Sequence, residues 1–353
     1  MNANQSQSFD NHELVSFTED PSSGLKAIIA VHNTLLGAAV GGCRMYPYVS
    51  DGAALEDVLR LSRGMTYKSA LAGLPMGGGK AVIIGDHRTQ KTSELLRAMG
   101  RFIDSHKGKY ITAEDSGTCV ADMKIMGQET KYVSGVSDAQ NFGGDPSPFT
   151  ALGIFHGIKA AVNHRNGSSD LQGARVAIQG AGAVGCYLAK QLIAEGAEVL
   201  VADVNAENLS KAQALGAKAI AVGDVLSSQV DVLAPCAMGA IINDETIRQL
   251  NTPIIAGGAN NQLAEARHAD LLLEMGILYA PDFVINAGGI IEIHHQNQQS
   301  SEGSHGQVER IGATLSKIFS LSEEQNMSTA KVAEQMAEAI FEPNSKSSVS
   351  NAA

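Results

Sequence analysis

Apolar residues along this chain alternate between short continuous runs and longer stretches with helical spacing. The continuous runs predict buried strands, and they occupy 25–31, 81–85, 110–113, 175–179, 198–202, 230–233, 253–256 and 277–279. The stretches with apolar residues three or four positions apart predict helices, and they occupy 53–67, 93–106, 150–164, 184–195, 306–323 and 329–341. Strands that alternate with helices in this way predict an α/β fold.

The length of 353 residues predicts about two domains. The densest group of glycine and proline lies at 141–148 and predicts the boundary between them. We therefore predict a first domain over 1–140, completed by a returning segment at 325–353, and a second domain over 141–324. The polar end of the chain from Glu342 onward predicts a frayed tail.

Charge and cysteine content exclude several classes of protein. The net charge is −11 and there is no basic stripe, which argues against a nucleic-acid partner. The polar start and the lack of any stretch of membrane-spanning length argue against a secretory signal and a membrane partner. Adjacent His294 and His295 would point apart and lack a carboxylate set, so no metal site is predicted. Four scattered cysteines predict reduced thiols of a cytoplasmic protein: Cys43, Cys119, Cys186 and Cys236.

A glycine-rich turn between a predicted strand and a predicted helix has the pattern of a Rossmann dinucleotide site. Gly180 would form the tight turn, Gly182 would let a pyrophosphate approach the backbone, and Gly185 would let helix and strand pack closely. The helix, with Ala183 and Val184 at its start, would supply N–H groups and partial positive charge to the phosphates.

The next predicted strand, 198–202, ends at Asp203. Its carboxylate would accept hydrogen bonds from the adenosine ribose and would repel a 2′-phosphate, which favours NAD over NADP. An acid after a strand is also common as a solvated turn residue, so Asp203 alone is a weaker signal than the glycines.

Two lysines, Lys68 and Lys80, lie twelve positions apart, and the second follows three glycines at 77–79. We expect a glycine loop that delivers Lys80 into a dry cleft, where its pKa would fall and it could carry protons. A phosphate-binding loop is excluded because Leu74 and Ala81 stand where that motif needs Gly and Ser or Thr. The alternative is a flexible surface loop that ends in a solvated lysine.

Taken together, these segments resemble the amino-acid dehydrogenase superfamily of glutamate, leucine, phenylalanine and valine dehydrogenases. The resemblance extends from about Leu25 to Phe341 and is nearest to the leucine branch, with the phenylalanine branch next. The motifs that carry it are GGCRM at 41–45, GMTYK at 64–68, GGGK at 77–80, TAED at 112–115, DPSPFT at 145–150, APCA at 234–237, ANNQ at 259–262 and APDFVINAGG at 280–289.

The resemblance implies an N-terminal α/β domain for substrate binding and oligomerisation, a Rossmann NAD-binding domain, and an active site in the cleft between them. It implies reversible NAD-dependent oxidative deamination of an L-amino acid to the 2-oxo acid and ammonium. Lys80 then matches the catalytic lysine, Asp115 the acid that completes the proton relay, and Lys68 the lysine that binds the substrate carboxylate. One lysine of lowered pKa can serve as base and then as acid in such a reaction.

The other site residues are implied by analogy with the same family. Thr150 and Asn286 match positions near the nicotinamide, and Cys236, Ala237 and Asn260 match further cofactor-binding positions. The substrate would be contacted by backbone near Gly41, by Asn261 and by apolar side chains at Val40, Ala113, Ile290 and Ile293.

Substrate choice follows from the character of this pocket. Val40 occupies a position where the glutamate branch has a lysine, and a buried side-chain carboxylate would lack a partner there. Ala113 and Ile290 favour leucine, valine or isoleucine over phenylalanine. The segment 43–48 looks more like some phenylalanine enzymes, so a phenylalanine or tryptophan dehydrogenase remains the alternative.

Two further functions compete with this hypothesis. A non-catalytic protein that senses NAD or amino acids could use the same fold, although sensing needs neither lysine nor Asp115. A hydroxy-acid oxidoreductase would normally present a histidine base, and none lies in these motifs. We expect a homo-oligomer, with a dimer favoured.

Overall fold

The computed structural model describes residues 3–136, 145–237, 239–298 and 303–342. The chain folds into two compact units: Met1–Gly144, Ile293–Ser301 and Ala337–Ala353 form the first, and Asp145–Glu292 and Glu302–Met336 form the second. The segment predicted to return to the first domain begins at 325. In the structure the chain returns to the first unit twice, at 293–301 and from 337 onward. The predicted tail beyond 342 and the residues 141–144 of the predicted boundary lie outside the described residues.

The first unit contains a five-stranded mixed sheet. Its strands are β1 (Leu14–Asp20), β2 (Leu25–Asn33), β3 (Ala39–Tyr46), β4 (Gly77–Ile84) and β5 (Tyr110–Glu114), in the spatial order β1-β2-β4-β3-β5. Strands β1 and β2, and β2 and β4, pair antiparallel, whereas β3 pairs parallel with β4 and β5. Its first three helices are α1 (Asp51–Leu71), α2 (Ser93–Asp104) and α3 (Val120–Met126).

Different helices pack against the two faces of this sheet. Strand β2 is buried at nearly every position, and its alternate residues separate into two cores. Ile28 and Ala30 pack with α1, whereas Ala27, Ile29 and Val31 pack with α2 and α3. Side-chain caps at Ser50 and Thr92 fix where α1 and α2 begin.

The expected glycine loop before Lys80 is wrong, because Gly77 to Gly79 form the first residues of β4. A Cβ at Gly78 would overlap the backbone and hydroxyl of Thr66 on α1, and one at Gly79 would lie 2.6 Å from the ring of Tyr110. These glycines therefore serve close packing of the strand against its neighbours. Lys80 is held by a strand within the sheet.

The second unit contains a six-stranded parallel sheet in the order β11-β10-β9-β6-β7-β8. Its strands are β6 (Arg175–Gln179), β7 (Glu198–Ala202), β8 (Lys218–Ala219), β9 (Val232–Pro235), β10 (Ile254–Ile255) and β11 (Leu278–Tyr279). The helices that follow α3 are α4 (Ser147–Asn166), α5 (Ala183–Ala194), α6 (Ala206–Ala214), α7 (Arg267–Glu274), α8 (Asp282–Ile285), α9 (Gly288–Asn297), α10 (Ser304–Gln325) and α11 (Thr329–Phe341). The unit boundaries divide α9 at Ile293 and α11 at Ala337.

The order of the second sheet places β6 at its centre, with β7 on one side and β9 on the other. The chain reverses its direction of progress across the sheet there, and ligands of such sheets bind at that point, beyond the carboxyl ends of the strands. The predicted bounds of β6 and β7 are confirmed, as is the α/β class with a Rossmann unit. Among the described residues, no helix is both long and apolar enough to cross a membrane.

Candidate active site

The register of the first sheet brings several predicted site residues onto one face. Val40 and Gly42 of β3 pair with Gly78 of β4 and Ala113 of β5, respectively. Lys80 pairs with Ala30 of β2, which packs against α1. Because residues two apart share a face of a strand, Val40, Lys80 and Ala113 all face α1.

Lys80 is buried, with 7% of its surface exposed, and its Nζ contacts Oδ2 of Asp115. Burial, the neighbouring Arg44 guanidinium and the charge of Lys68 lower the pKa of Lys80 to about 7. A lysine of this kind can both accept and donate a proton near neutral pH.

Asp115 lies just beyond β5, and its two carboxylate oxygens have different partners. Oδ1 accepts a hydrogen bond from the backbone N of Ser116 over 2.5 Å, which leaves Oδ2 directed at Lys80. The Asp115 backbone N donates to Oγ1 of Thr118 over 3.0 Å. A Cβ at Gly42 would lie 2.7 Å from Cβ of Asp115, so glycine there makes room for the carboxylate.

Lys68 lies in the last turn of α1, the helix that covers this face of the sheet. Its positive charge contributes to the lowered pKa of Lys80. Gly41 faces the other side of β3, and a Cβ there would overlap the carbonyl oxygen of Gly79. The Gly41 carbonyl accepts a hydrogen bond from the Tyr110 hydroxyl over 2.7 Å.

In the second unit, the glycines after β6 adopt the conformation that a dinucleotide turn needs. Gly180 has φ of 100°, a value that favours glycine, and its N donates to the carbonyl of Ala202 over 2.8 Å. A Cβ at Gly185 would overlap the carbonyl oxygen of Gly180, whereas a Cβ at Gly182 would have no atom within 4 Å. Helix α5 begins at Ala183, so its first N–H groups border this open space. The turn therefore fits a pyrophosphate.

The carboxylate of Asp203 is fixed at the end of β7. Its Oδ2 accepts from the backbone N of Ala181 over 2.6 Å, and its Oδ1 accepts from the backbone N of Asn205 over 2.7 Å. The side chain is therefore bonded to the glycine turn itself, at the position where the family pattern has its ribose-binding acid.

The remaining cofactor candidates form a connected group beyond β9 and β10. Asn286 donates through Nδ2 to the Gly258 carbonyl over 3.1 Å and to Oδ1 of Asn260 over 2.8 Å. Its own Oδ1 is buried and has no hydrogen-bond partner in the part of the chain that the structure describes. A buried acceptor without a partner fits a ligand that carries an amide N–H, such as a carboxamide.

Other members of the predicted set lie around this group. A Cβ at Gly180 would lie 2.6 Å from Cβ of Ala237, and Cys236 donates its backbone N to the carbonyl of Gln179 over 2.7 Å. Thr150 borders Gly289, where a Cβ would lie 2.6 Å from the Thr150 hydroxyl.

Three further predicted substrate contacts belong to other elements of the chain. Asn261 belongs to the second unit and has φ of 51°, a left-handed conformation that asparagine tolerates better than most residues. Ile290 and Ile293 are half-buried on α9, three positions apart and so on one side of the helix.

Sequence reasoning missed two charged residues at the first site. Arg44 contacts Asp57 and lies near Asp115, yet neither Arg44 nor Asp57 was assigned a role. Arg44 lies inside the GGCRM motif, and that position was the available signal. Asp57 is one of several acids on an amphipathic helix, and nothing in its spacing distinguishes it.

Comparison with known proteins identifies the family of this chain. The family model for the Glu/Leu/Phe/Val dehydrogenase dimerisation domain matches residues 12–132, and the model for glutamate/leucine/phenylalanine/valine dehydrogenase matches 145–207 and 201–345. The chain belongs to the Glu/Leu/Phe/Val dehydrogenase family. It is therefore an amino-acid dehydrogenase that acts on a CH–NH₂ donor, and a Rossmann-like fold in this family implies a nicotinamide cofactor.

Named relatives of this family cover almost the whole chain. A leucine dehydrogenase of Geobacillus stearothermophilus is 50% identical over 94% of this chain and 91% of its own length. An L-tryptophan dehydrogenase of Nostoc punctiforme is 46% identical over 97% of this chain and 96% of its own length. The crystal structure of L-tryptophan dehydrogenase from Nostoc punctiforme superposes with a TM-score of 0.80 at 44% identity, over 94% of this chain and 96% of that chain.

Proposed function

We propose that this protein catalyses the reversible NAD-dependent oxidative deamination of leucine, valine and isoleucine. The observation that carries the proposal is the buried contact between Lys80 and Asp115, on the sheet face covered by α1, the helix whose last turn contains Lys68. Two cations and one carboxylate suit a substrate that brings one carboxylate and one amine.

The proposed roles follow from charge and proton affinity. Lys68 binds the substrate carboxylate and so orients the Cα–H bond. When bound, the nicotinamide supplies the acceptor for the hydride that leaves Cα. Lys80, uncharged in part at neutral pH, takes a proton from the water that adds to Cα and then returns a proton to the departing amine. Asp115 holds the Lys80 ammonium in place through Oδ2.

Asp203 supports NAD as the dinucleotide. Its carboxylate stands at the end of β7 and is fixed by the backbone of the glycine turn. A 2′-phosphate placed there would meet a negative charge, whereas two ribose hydroxyls would find an acceptor.

An apolar substrate is supported by Val40 and Ala113, which are buried on the same face as Lys80. Neither can pair with a second carboxylate, so a dicarboxylic amino acid is disfavoured. The likeness to a leucine dehydrogenase supports a branched aliphatic side chain. The likeness to an L-tryptophan dehydrogenase keeps an aromatic substrate, tryptophan or phenylalanine, as the second candidate.

The test is NADH oxidation in the presence of ammonium and a panel of 2-oxo acids, repeated with NADPH. We expect 4-methyl-2-oxopentanoate and 3-methyl-2-oxobutanoate to give the highest kcat/KM, and NADH to exceed NADPH. Preference for phenylpyruvate or indolepyruvate would replace the aliphatic substrate with an aromatic one. Preference for NADPH would contradict the role given to Asp203.

Assembly, location and domain roles complete the proposal. We propose a homodimer, supported by the family's description of residues 12–132 as a dimerisation domain. Light scattering that gives an octamer would refute it.

The free thiols at Cys43, Cys119, Cys186 and Cys236 support a reducing, cytoplasmic location. We also propose that the first predicted domain, 1–140 with 325–353, binds substrate and that 141–324 binds NAD.

A further inference from the structure

Arg44 lies beside the Lys80–Asp115 pair, and the proposed reaction gives it no contact with the substrate. Its NH1 donates to Oδ2 of Asp57 over 2.8 Å, and its NH2 lies 3.6 Å from Oδ1 of Asp115. Its side chain is 19% exposed, so water screens its charge only in part. One planar guanidinium thus joins a carboxylate on α1 to the carboxylate that contacts Lys80.

The far end of Arg44 is fixed from two elements. Asp57 projects from α1 and accepts, on the same Oδ2, a hydrogen bond of 2.5 Å from the Tyr48 hydroxyl. Arg44 itself belongs to β3, where it pairs with Val82 and so faces α1 on the same side as Lys80. The position of the guanidinium is therefore set by the sheet and by the helix together.

The charges around Lys80 act on its proton in opposite directions. Arg44 and Lys68 are cations and disfavour the protonated amine, whereas Asp57 favours it. The titratable and charged groups that act on Lys80 are Arg44 and Cys43 on β3, Asp57 and Lys68 on α1, and Asp115 after β5.

We propose that Arg44, anchored by Asp57, is a positioning residue whose charge makes Lys80 release its proton more readily and whose NH2 keeps Asp115 turned towards Lys80. The effect on turnover rests on the proposed function, but proton release by Lys80 can be measured without enzyme turnover. An Arg44 that served only to tie α1 to β3 would leave the pH dependence of Lys80 unchanged.

The test compares Arg44→Gln, Arg44→Lys and Asp57→Asn with the unaltered full-length protein. The first measurement is the pH dependence of Lys80 acetylation by acetic anhydride, followed by mass spectrometry of the peptide that carries Lys80. The second measurement is the pH profile of kcat/KM for leucine deamination. Arg101→Gln is the matched control, because it removes the same charge from the same unit, at a 56% exposed side chain that pairs with Glu129.

We expect Arg44→Gln to move the midpoint of Lys80 acetylation, and the matching limb of the kcat/KM profile, about one pH unit higher, because a neighbouring cation has been removed. Asp57→Asn should move both in the opposite direction, since it removes the compensating anion. Arg44→Lys should restore most of the original midpoint, and Arg101→Gln should leave it in place.

The two measurements separate this proposal from the proposed function. Unchanged acetylation midpoints in both Arg44→Gln and Asp57→Asn would overturn the role of Arg44 and leave the dehydrogenase mechanism intact. Midpoints that move while the kcat/KM profile stays fixed would support the role of Arg44 and refute Lys80 as the group that controls turnover. If circular dichroism shows that Arg44→Gln does not fold, the acetylation midpoint of Asp57→Asn decides the question. A lowered midpoint would support the role of Arg44, and an unchanged midpoint would overturn it.

Discussion

The candidate sites of the two units are built from different kinds of groups. The candidate site of the first unit is built from charged side chains on a buried sheet face, chiefly Lys80 and Asp115. The candidate site of the second unit is built from glycines, helix N–H groups and the amide of Asn286. Removing a charge from the site of the first unit should therefore change the rate of the reaction. Adding a methyl group to a glycine of the second unit should instead change the stability of the protein or its affinity for the dinucleotide.

The largest expected effect is that of Asp115→Asn. The change removes the negative charge that contacts Lys80 but keeps the shape of the side chain, so kcat should fall by about 10²–10⁴-fold. Binding of NADH, measured by fluorescence titration, should be unaffected because the second unit is unchanged. Glu114→Gln is the matched control, as this neighbouring carboxylate is exposed at the end of β5. Equal rates for both variants would contradict the account.

The second prediction compares two glycines of the dinucleotide turn. Gly185→Ala places a methyl group against the Gly180 carbonyl and should lower the free energy of unfolding by about 3 kcal/mol. Gly182→Ala has open space around its Cβ and an ordinary φ of −66°, so stability should be retained while the methyl group blocks the pyrophosphate. Urea unfolding and NADH titration of both variants test this difference, and equal stability of the two would refute it.

The third prediction concerns two buried histidines of the first unit. The rings of His12 and His32 lie 4.9 Å apart, and Nδ1 of His32 lies 2.8 Å from the Thr66 hydroxyl on α1. Burial and the charge of His12 lower the pKa of His32 to about 4. As the pH falls below 6.5, His32 therefore becomes protonated in the unfolded chain but stays neutral in the folded protein. The free energy of unfolding decreases as a result until about pH 4, where the folded protein also binds the proton.

From pH 7 to pH 5, His32 alone should lower the free energy of unfolding by about 2 kcal/mol. Above pH 6.5 both states hold the neutral ring and no such dependence is expected. His32→Asn should remove this part of the pH dependence in urea titrations. A slope that is unchanged in the variant would show that His32 is not its source.

The smallest expected effect is on substrate preference. Ala113 is 6% exposed on the face that carries Val40 and Lys80, so Ala113→Gly removes one methyl group from a closely packed surface. The kcat/KM ratio of phenylpyruvate to 4-methyl-2-oxopentanoate should rise by about tenfold. An unchanged ratio would exclude Ala113 from the substrate pocket.

The same contrast explains what sequence could predict. In the second unit, local sequence patterns predict four consecutive elements: β6, the glycine turn, α5 and β7. Continuous apolar runs and a glycine pattern that starts a helix can be recognised without knowing which distant residues pack against them. In the first unit, β3 and β4 contain Gly41, Gly42 and Gly77 to Gly79, which local rules assign to loops. Those glycines are explained by the backbone and side chains that approach them across the sheet.

Two further features of the first unit also depend on distant contacts. Strand β1 was not predicted because its residues are only partly buried, and its pairing with β2 decides its structure. The role of Asp57 could not be predicted either, since it depends on Arg44 and Tyr48 from another element. The chemistry of Lys68, Lys80 and Asp115 was available only from their motifs and stays a prediction.

The central claim is that Lys80 carries the protons of the reaction while the second unit binds the dinucleotide independently of it. Lys80→Ala, assayed for leucine deamination and titrated with NADH in parallel, tests this most directly. The account predicts a loss of kcat of at least about 10³-fold together with an unchanged NADH dissociation constant. Turnover close to that of the unaltered enzyme would contradict it.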